Sequence, residues 1–354
     1  MKHKKIVSIV LSAALLCSGF AFAGVAGATA QEPEVVTESL SNYYLGSMSW
    51  GVKSMGLDKL QKKLETSGRE LPEVRVAVID TGLNKSNKYL KGRYTNDGYN
   101  FIDNTNDFND DGFHGTMVSG IIADGTSSNV KILPLKTNDK NGSGTMNNVN
   151  RAIRYAIDHN ADVINLSLST SDYSHTINQL DDVIDEAVQR GIVVVVAAGN
   201  QASNTDDRYP ANKDNVLTIA SVDRKYRIAA SSNTGEDVDF ALPGVSVTAP
   251  SKRSININSG TSFSAPHAAA AAALLKTWDK SLNQEDIKEI MKQYSIDLGE
   301  EGFDNTYGWG MVNLSNFEVE KAETPSQPSE PSQPDKPKQN TLITLLKNLL
   351  TRKK

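Results

Sequence analysis

Three residue types that together break acyl bonds occur in this chain, each at the start or end of an expected element. Asp80 follows the strand-like run Val74–Ile79, His114 opens a segment of small and apolar residues, and Ser262 precedes an alanine tract. A serine hydroxyl becomes a good nucleophile when a neutral imidazole takes its proton, and a buried carboxylate orients that imidazole. The three residues therefore predict nucleophilic acyl transfer, although each alone also suits a turn, a loop or a cap.

Ser262 is expected to lie where a loop enters a buried helix. Gly260 permits a tight turn, and the alanines at 268–273 have high helix propensity. The unpaired N–H groups and the positive dipole end of such a helix would face a reacting carbonyl group. Pro266 is expected in the first turn, where its missing N–H has no partner to lose. The alternative interpretation is a capped, alanine-rich core helix without a chemical role.

Asn200 follows an apolar strand expected over Ile192–Ala198 and comes directly after Gly199. At the carboxyl edge of a sheet, its side-chain N–H would join the backbone N–H of Ser262 in binding the negative oxygen of a tetrahedral intermediate. The alternative is a residue that ends the strand in a turn.

Alternating strand and helix patterns surround these residues. Further strands are expected over Val130–Leu135, Ala161–Leu168 and Val216–Val222, and helices over Trp50–Leu64, Met146–His159, Ile177–Arg190 and Gln284–Tyr294. This β-α-β-α order predicts an α/β fold, a doubly wound, mostly parallel β-sheet sandwiched by helices.

Composition and the chain ends limit the classes of function. The 354 residues carry a formal net charge of −5, so no basic surface is available and nucleic acid is not expected as a partner. Residues 1–30 have the pattern of a secretory signal peptide, and 31–46 read as a short spacer. The main domain is expected over 47–317, a Pro/Ser/Gln-rich linker over 318–340 and a basic amphipathic tail over 341–354.

These features predict a secreted protein that works as a monomer. The tail either tethers the protein to a membrane or cell wall or remains a solvated end. Cys17 is the only cysteine and lies in the signal segment, so a mature chain would have no disulfide and no thiolate metal site. The histidines show no paired ligand spacing, and no catalytic metal is expected.

Four blocks of the sequence resemble the signature blocks of the subtilisin-like serine proteases, in that family's order. They are Asp80-Thr81-Gly82, His114-Gly115-Thr116, Ala198-Gly199-Asn200 and Gly260-Thr261-Ser262. The resemblance implies a triad of Asp80, His114 and Ser262, with Asn200 as the donor to the oxyanion. It also implies that Gly142-Ser143-Gly144 and Ser167-Leu168-Ser169 clamp an extended peptide as a middle strand.

Two departures from the family pattern concern calcium and specificity. Only Asp124–Asn129 separates the His114 segment from the next strand, where relatives have a longer calcium-binding loop. That calcium site is therefore not expected here; another structural calcium stays open, and the chemistry needs no cofactor. Ser169-Thr170 replaces a Gly-Gly pair in the wall of the specificity pocket, which should narrow or polarise it.

Arg208 corresponds to a glycine at the floor of that pocket in relatives. A guanidinium there would bind a substrate Glu or Asp at the residue before the cut. Two alternatives stay open: Asp206 or Asp207 pairs with Arg208 or faces the pocket and selects Arg or Lys, or Arg208 lies on the rim and selects nothing.

The resemblance implies a serine endopeptidase with a peptide or protein substrate. A narrowed pocket favours a processing protease such as a lanthipeptide leader peptidase. The alternatives are a broad-specificity scavenger protease and a non-catalytic binding module on the same fold.

Overall fold

The computed structural model of the protein describes residues 49–170, 176–251 and 254–321, with the backbone alone for 176–179. The predicted signal peptide, the spacer, most of the linker, the tail and His175 lie outside the described residues. No helix in the described ranges is long and apolar enough to cross a membrane.

A seven-stranded parallel sheet forms the centre of the fold. Its spatial order is β2-β3-β1-β4-β5-β6-β7. The strands are β1 Val74–Asp80, β2 Tyr99–Asn100, β3 Val130–Lys136, β4 Val163–Leu166, β5 Val193–Ala197, β6 Leu217–Val222 and β7 Phe240–Pro243. Because β1 and β3 to β7 are largely buried, their apolar runs are nearly continuous rather than alternating, as expected for a sheet covered on both faces.

Seven α-helices accompany this sheet in the described ranges. They are α1 Trp50–Ser54, α2 Leu57–Glu65, α3 His114–Asp124, α4 Met146–Asp158, α5 Thr176–Gln189, α6 Thr261–Trp278 and α7 Gln284–Gln293. Helices α4 and α5 share a core cluster with Ala77 and Ile79 of β1, and α3 packs against α6. Alternate strand residues point to opposite faces, so this arrangement confirms the predicted sandwich.

Several elements differ from the sequence-based expectation. The early helix is two helices, because Gly56 adopts a left-handed conformation (φ 64°) between α1 and α2. Two strands of the sheet, the short β2 and the edge strand β7, were not expected. Two antiparallel pairs were also missed: β8 Val247–Pro250 with β9 Ile255–Asn258, and β10 Ser295–Ile296 with β11 Met311–Val312.

Helix α6 is the most deeply buried helix of the fold. The alanines at 268–273 are fully buried, and the helix contacts strands β1, β3, β4, β5, β6 and β7. Alanine has no side chain beyond Cβ, so the helix axis lies close to the sheet. The expectation for Pro266 was wrong: the helix begins at Thr261, so Pro266 is its sixth residue and lies beyond the first turn.

Candidate active site

Asp80 lies at the carboxyl end of β1, between neighbouring strands β3 and β4. Its side chain is buried (3% exposed) and accepts a hydrogen bond from the Thr81 N–H at 2.6 Å. The backbone carbonyl of Asp80 accepts the Thr137 N–H at 2.9 Å. The carboxylate is thus fixed at the edge of the sheet where open α/β folds place their ligands.

His114 is the first residue of α3 and is held by Asp80. Its Nδ1 lies 2.8 Å and 3.0 Å from the two carboxylate oxygens of Asp80. Burial lowers the pKa of His114, but the charge and hydrogen bond of Asp80, with a contribution from Asp110, outweigh burial and raise it above its usual value. The contact places the proton on Nδ1 and leaves Nε2 as the basic nitrogen.

Asp110 is a further residue of the site that sequence reasoning did not single out. Its buried carboxylate accepts bonds from the hydroxyls of Thr81 and Thr116 and from the N–H groups of Gly112, Phe113 and Thr116. The Thr81 hydroxyl in turn accepts the Gly115 N–H at 2.9 Å. One carboxylate therefore joins the turn after Asp80 to the first turn of His114's helix.

Ser262 is the second residue of α6. The imidazole of His114 and the ring of Phe263, the next residue, have centroids 5.4 Å apart, so the two helix starts are adjacent. In the described structure the Ser262 hydroxyl donates to the carbonyl of Ser167 at 3.3 Å, and no hydrogen bond joins it to His114. Reaction therefore requires the hydroxyl to rotate from Ser167 towards Nε2 of His114.

Asn200 lies beside the serine turn. Its Oδ1 accepts the N–H of Thr261 at 2.9 Å and the Thr261 hydroxyl at 3.2 Å. The same hydroxyl accepts the Gly199 N–H at 3.1 Å, and Gly199 takes a positive φ of 105° that favours glycine. Since Oδ1 faces Thr261, the N–H donors of the amide remain for a ligand.

The two segments expected to clamp substrate lie at the ends of β3 and β4. Gly144 pairs with Asn138 just after β3, and Ser143 accepts the Asp139 N–H, so the Gly142–Gly144 segment closes an exposed hairpin. Ser167, Leu168 and Ser169 follow β4 and run from the Ser262 contact to Thr170.

Arg208 is brought next to the second of these segments. Thr170 and Tyr209 exchange backbone hydrogen bonds at 2.8 Å and 2.9 Å, which places Arg208 one residue from the wall of the expected pocket. Its Nε is buried without a hydrogen-bond partner. In the described ranges Arg208 forms no ion pair with Asp206 or Asp207, one of the alternatives that the sequence left open.

The short loop after α3 does not fit calcium. The guanidinium of Arg93 donates to the carbonyls of Ala123, Thr126 and Ser127 at 2.7 Å, 3.0 Å and 2.9 Å. The carboxylate of Asp124 accepts the Ser49 N–H at 2.8 Å. The oxygens that would coordinate a cation are thus used by protein donors. No group of three or more potential metal ligands is found in the described ranges.

Comparisons with known proteins agree with this geometry. The profile of the Subtilase family matches residues 72–310. Subtilisin DY of Bacillus licheniformis is 32% identical over 281 residues, covering 76% of this chain and 97% of that protein. The thermophilic serine proteinase of Bacillus sp. (strain AK1) is 37% identical, covering 71% and 62%, respectively. The minor extracellular protease Epr of Bacillus subtilis (strain 168) is 31% identical, and the match spans only 39% of its length.

Solved structures show the same fold. A cold-adapted subtilisin-like serine proteinase aligns with a TM-score of 0.63 at 26% identity, covering 73% of this chain and 97% of that one. A lanthipeptide protease aligns with a TM-score of 0.65 at 23% identity, covering 77% and 98%.

Proposed function

The chain belongs to the subtilase family, and we propose that it is a serine endopeptidase that cleaves peptides through an acyl-enzyme intermediate. The observation that carries the proposal is the contact of His114 Nδ1 with the buried Asp80 carboxylate, beside the start of the helix that bears Ser262. That arrangement supplies a base in the required tautomer next to a hydroxyl.

Each side chain has a distinct part in the proposed reaction. Nε2 of His114 takes the proton of the Ser262 hydroxyl as Oγ attacks the peptide carbonyl, and later gives a proton to the leaving amine. Asp80 stabilises the imidazolium. The Asn200 amide and the Ser262 backbone N–H donate to the oxyanion. Water then hydrolyses the ester, so the side chains supply every proton transfer and the proposed chemistry needs no cofactor.

Substrate binding also frees the nucleophile. An extended peptide between the Gly142–Gly144 and Ser167–Ser169 segments would offer its N–H groups to their carbonyls. A substrate N–H at the Ser167 carbonyl would replace the Ser262 hydroxyl, which is then free to turn towards His114.

We extend the proposal to specificity: Arg208 favours an acidic residue before the cut. Its partly buried guanidinium has no carboxylate partner in the described ranges, so a substrate carboxylate would supply the missing charge. A peptide with Glu there should be cleaved about tenfold faster than its Gln counterpart, and Arg208→Gln should remove the difference. Equal rates for Glu and Gln in the natural protein would exclude this role.

Secretion and peptide processing are the finer parts of the proposal. Relatives are named as extracellular and cell wall-associated proteases, which supports export of this chain. The Ser169-Thr170 wall and Arg208 favour selective processing, as in a lanthipeptide leader peptidase, over broad degradation. The predicted tail would hold the enzyme at the cell surface.

The test uses the full chain and its Ser262→Ala variant with a fluorophosphonate probe and a diverse peptide library. We expect covalent labelling at Ser262 and cleavage that the variant loses by about 10⁴-fold or more. Cleavage after one residue type would favour processing, and indiscriminate cleavage would favour the scavenger alternative. A folded protein that neither reacts nor cleaves would contradict the enzymatic proposal and favour a binding module.

A further inference from the structure

Pro266 leaves one backbone acceptor of α6 without its helical donor. In an α-helix, the carbonyl of residue i accepts the N–H of residue i+4. Pro266 is four residues after Ser262 and has no N–H, so the carbonyl of Ser262 lacks the donor that an α-helix normally supplies. A carbonyl without a donor is costly where water is excluded, and this partly buried one belongs to the residue that carries the proposed nucleophile.

The hydroxyl of Ser167 fills that place. It donates to the Ser262 carbonyl at 3.0 Å. The Ser167 oxygen in turn accepts Nδ2 of Asn165 at 2.9 Å, and Asn165 is fully buried in β4. Since Asn165 is the donor in that contact, the proton of Ser167 is directed to Ser262.

We propose that the side chain of Ser167 is a positioning residue that fixes the backbone of Ser262; this rests on the proposed nucleophilic role of Ser262. Two side chains hold the backbone on either side of Ser262: Asn200 Oδ1 holds the N–H of Thr261, and Ser167 holds the carbonyl of Ser262. With both bonds in place, the peptide plane after Ser262 is fixed, and so is the position of the Cα–Cβ bond about which the hydroxyl turns from Ser167 towards His114. This role is separate from the clamp role of the Ser167 carbonyl.

A double-mutant cycle with Pro266 tests the proposal. Ser167→Ala should lower kcat about five- to tenfold, with KM changed by less than about twofold, because the clamp carbonyl is retained. Pro266→Ala restores an N–H that can donate to the Ser262 carbonyl. In that background, Ser167→Ala should lower kcat by less than about twofold.

The rate of fluorophosphonate labelling of Ser262 gives a second readout, because the probe needs no peptide in the clamp. It should follow the same pattern as kcat across the cycle. Ser167→Thr keeps a hydroxyl donor and should restore most of the rate lost in Ser167→Ala. Near-UV circular dichroism and Tm of each variant report folding, and Ser167→Cys, a weak donor of similar size, replaces the alanine variant if that variant does not fold.

An equal loss of kcat on Ser167→Ala in the natural protein and in the Pro266→Ala background would overturn the proposal, as would a change confined to KM. If the proposed function itself is wrong, the result is different: the fluorophosphonate would not label Ser262 in the natural protein. Labelling of the natural protein with no effect of Ser167→Ala would remove only the positioning role.

Discussion

Helices α3 and α6 both begin in the candidate site, yet their first turns are held by different chemistry. The start of α3 is fixed by the buried carboxylate of Asp110, which accepts the N–H groups of Gly112, Phe113 and Thr116. The start of α6 is fixed by a neutral amide, Asn200, whose Oδ1 accepts the Thr261 N–H. Neither helix has an acidic residue in its first turn.

The difference matches the charge that develops at each end. A negative charge near α3 favours the imidazolium that His114 becomes after taking a proton, and Asp110 raises the pKa of His114. A negative charge at the start of α6 would repel the oxyanion, which forms there and needs free N–H donors. The N–H groups at the start of each helix therefore bind an anionic carboxylate beside the base and a neutral amide oxygen beside the nucleophile.

The largest expected effect comes from removing the charge that holds the base. Asp80→Asn should lower kcat about 10⁴-fold, because the imidazole loses its orienting carboxylate. It should also lower the pKa of His114, so the acid limb of kcat/KM, which reports the neutral imidazole, moves to lower pH. A pH profile of the variant measures both, and an unmoved limb would contradict the assignment of His114 as base.

The reciprocal change places a negative charge at the start of α6. Asn200→Ala should lower kcat about 10² to 10³-fold, and Asn200→Asp should cost at least as much because its carboxylate faces the oxyanion. The aspartate keeps an oxygen that accepts the Thr261 N–H, so Tm should stay close to that of the natural protein. Steady-state kinetics of both variants measure these effects. An aspartate variant more active than the alanine variant would contradict the inference that the start of α6 must stay uncharged.

Removing the negative charge of Asp110 at the start of α3 should have a smaller effect on kcat and a clear effect on the free energy of unfolding. In Asp110→Asn, an NH₂ group must face at least one of the five donors, at a cost of about 2 to 4 kcal/mol in the free energy of unfolding. The pKa of His114 should fall, so the acid limb of kcat/KM moves to lower pH. Because a raised pKa lets folded His114 bind its proton more tightly, the stability it adds is present at low pH and lost as pH rises through its folded pKa. Denaturant unfolding across this pH range, compared with the natural protein, measures the difference.

The far end of α3 gives the smallest expected effect. Arg93 donates to the carbonyl of Ala123 in the last turn of that helix and to those of Thr126 and Ser127 in the loop after it. Removing calcium with EGTA should therefore change neither Tm nor kcat measurably. Arg93→Met should lower the free energy of unfolding by about 1 to 3 kcal/mol. A drop in Tm on chelation in the natural protein would show that a cation stabilises the fold elsewhere.

Local patterns were sufficient for the five central strands of the sheet, β1 and β3 to β6, and for the residues at the ends of β1 and β5. The β-branched run before Asp80 and the apolar run before Asn200 each predicted a buried strand with a polar residue beyond its carboxyl end. Asp110 was missed because a short Asn/Asp/Gly-rich stretch looks like any turn, and no local pattern shows that the hydroxyl of Thr81, 29 positions earlier, donates to it. Strand β7 has only four residues and ends in Pro243, so neither its length nor its composition signals a strand.

The environment of Pro266 and Arg93 depends on tertiary contacts that no local pattern contains. Pro266 is tolerated beyond the first turn because Ser167, 99 positions earlier in the numbering, supplies the donor that a neighbouring N–H would otherwise provide. The length of the loop after α3 predicted that the family's calcium-binding loop is shortened here. It did not indicate that a guanidinium from a separate turn would occupy the loop carbonyls.

The burial of α6 has a consequence for the timing of biosynthesis. This helix bears Ser262, and it also covers six of the seven sheet strands, although it is made after all of them. A chain emerging N-terminus first from a ribosome or a translocation channel therefore presents Asp80 and His114 long before the sheet can close. The nucleophile therefore arrives on the same helix that covers the sheet, so a half-made chain has no means of digesting itself or its neighbours.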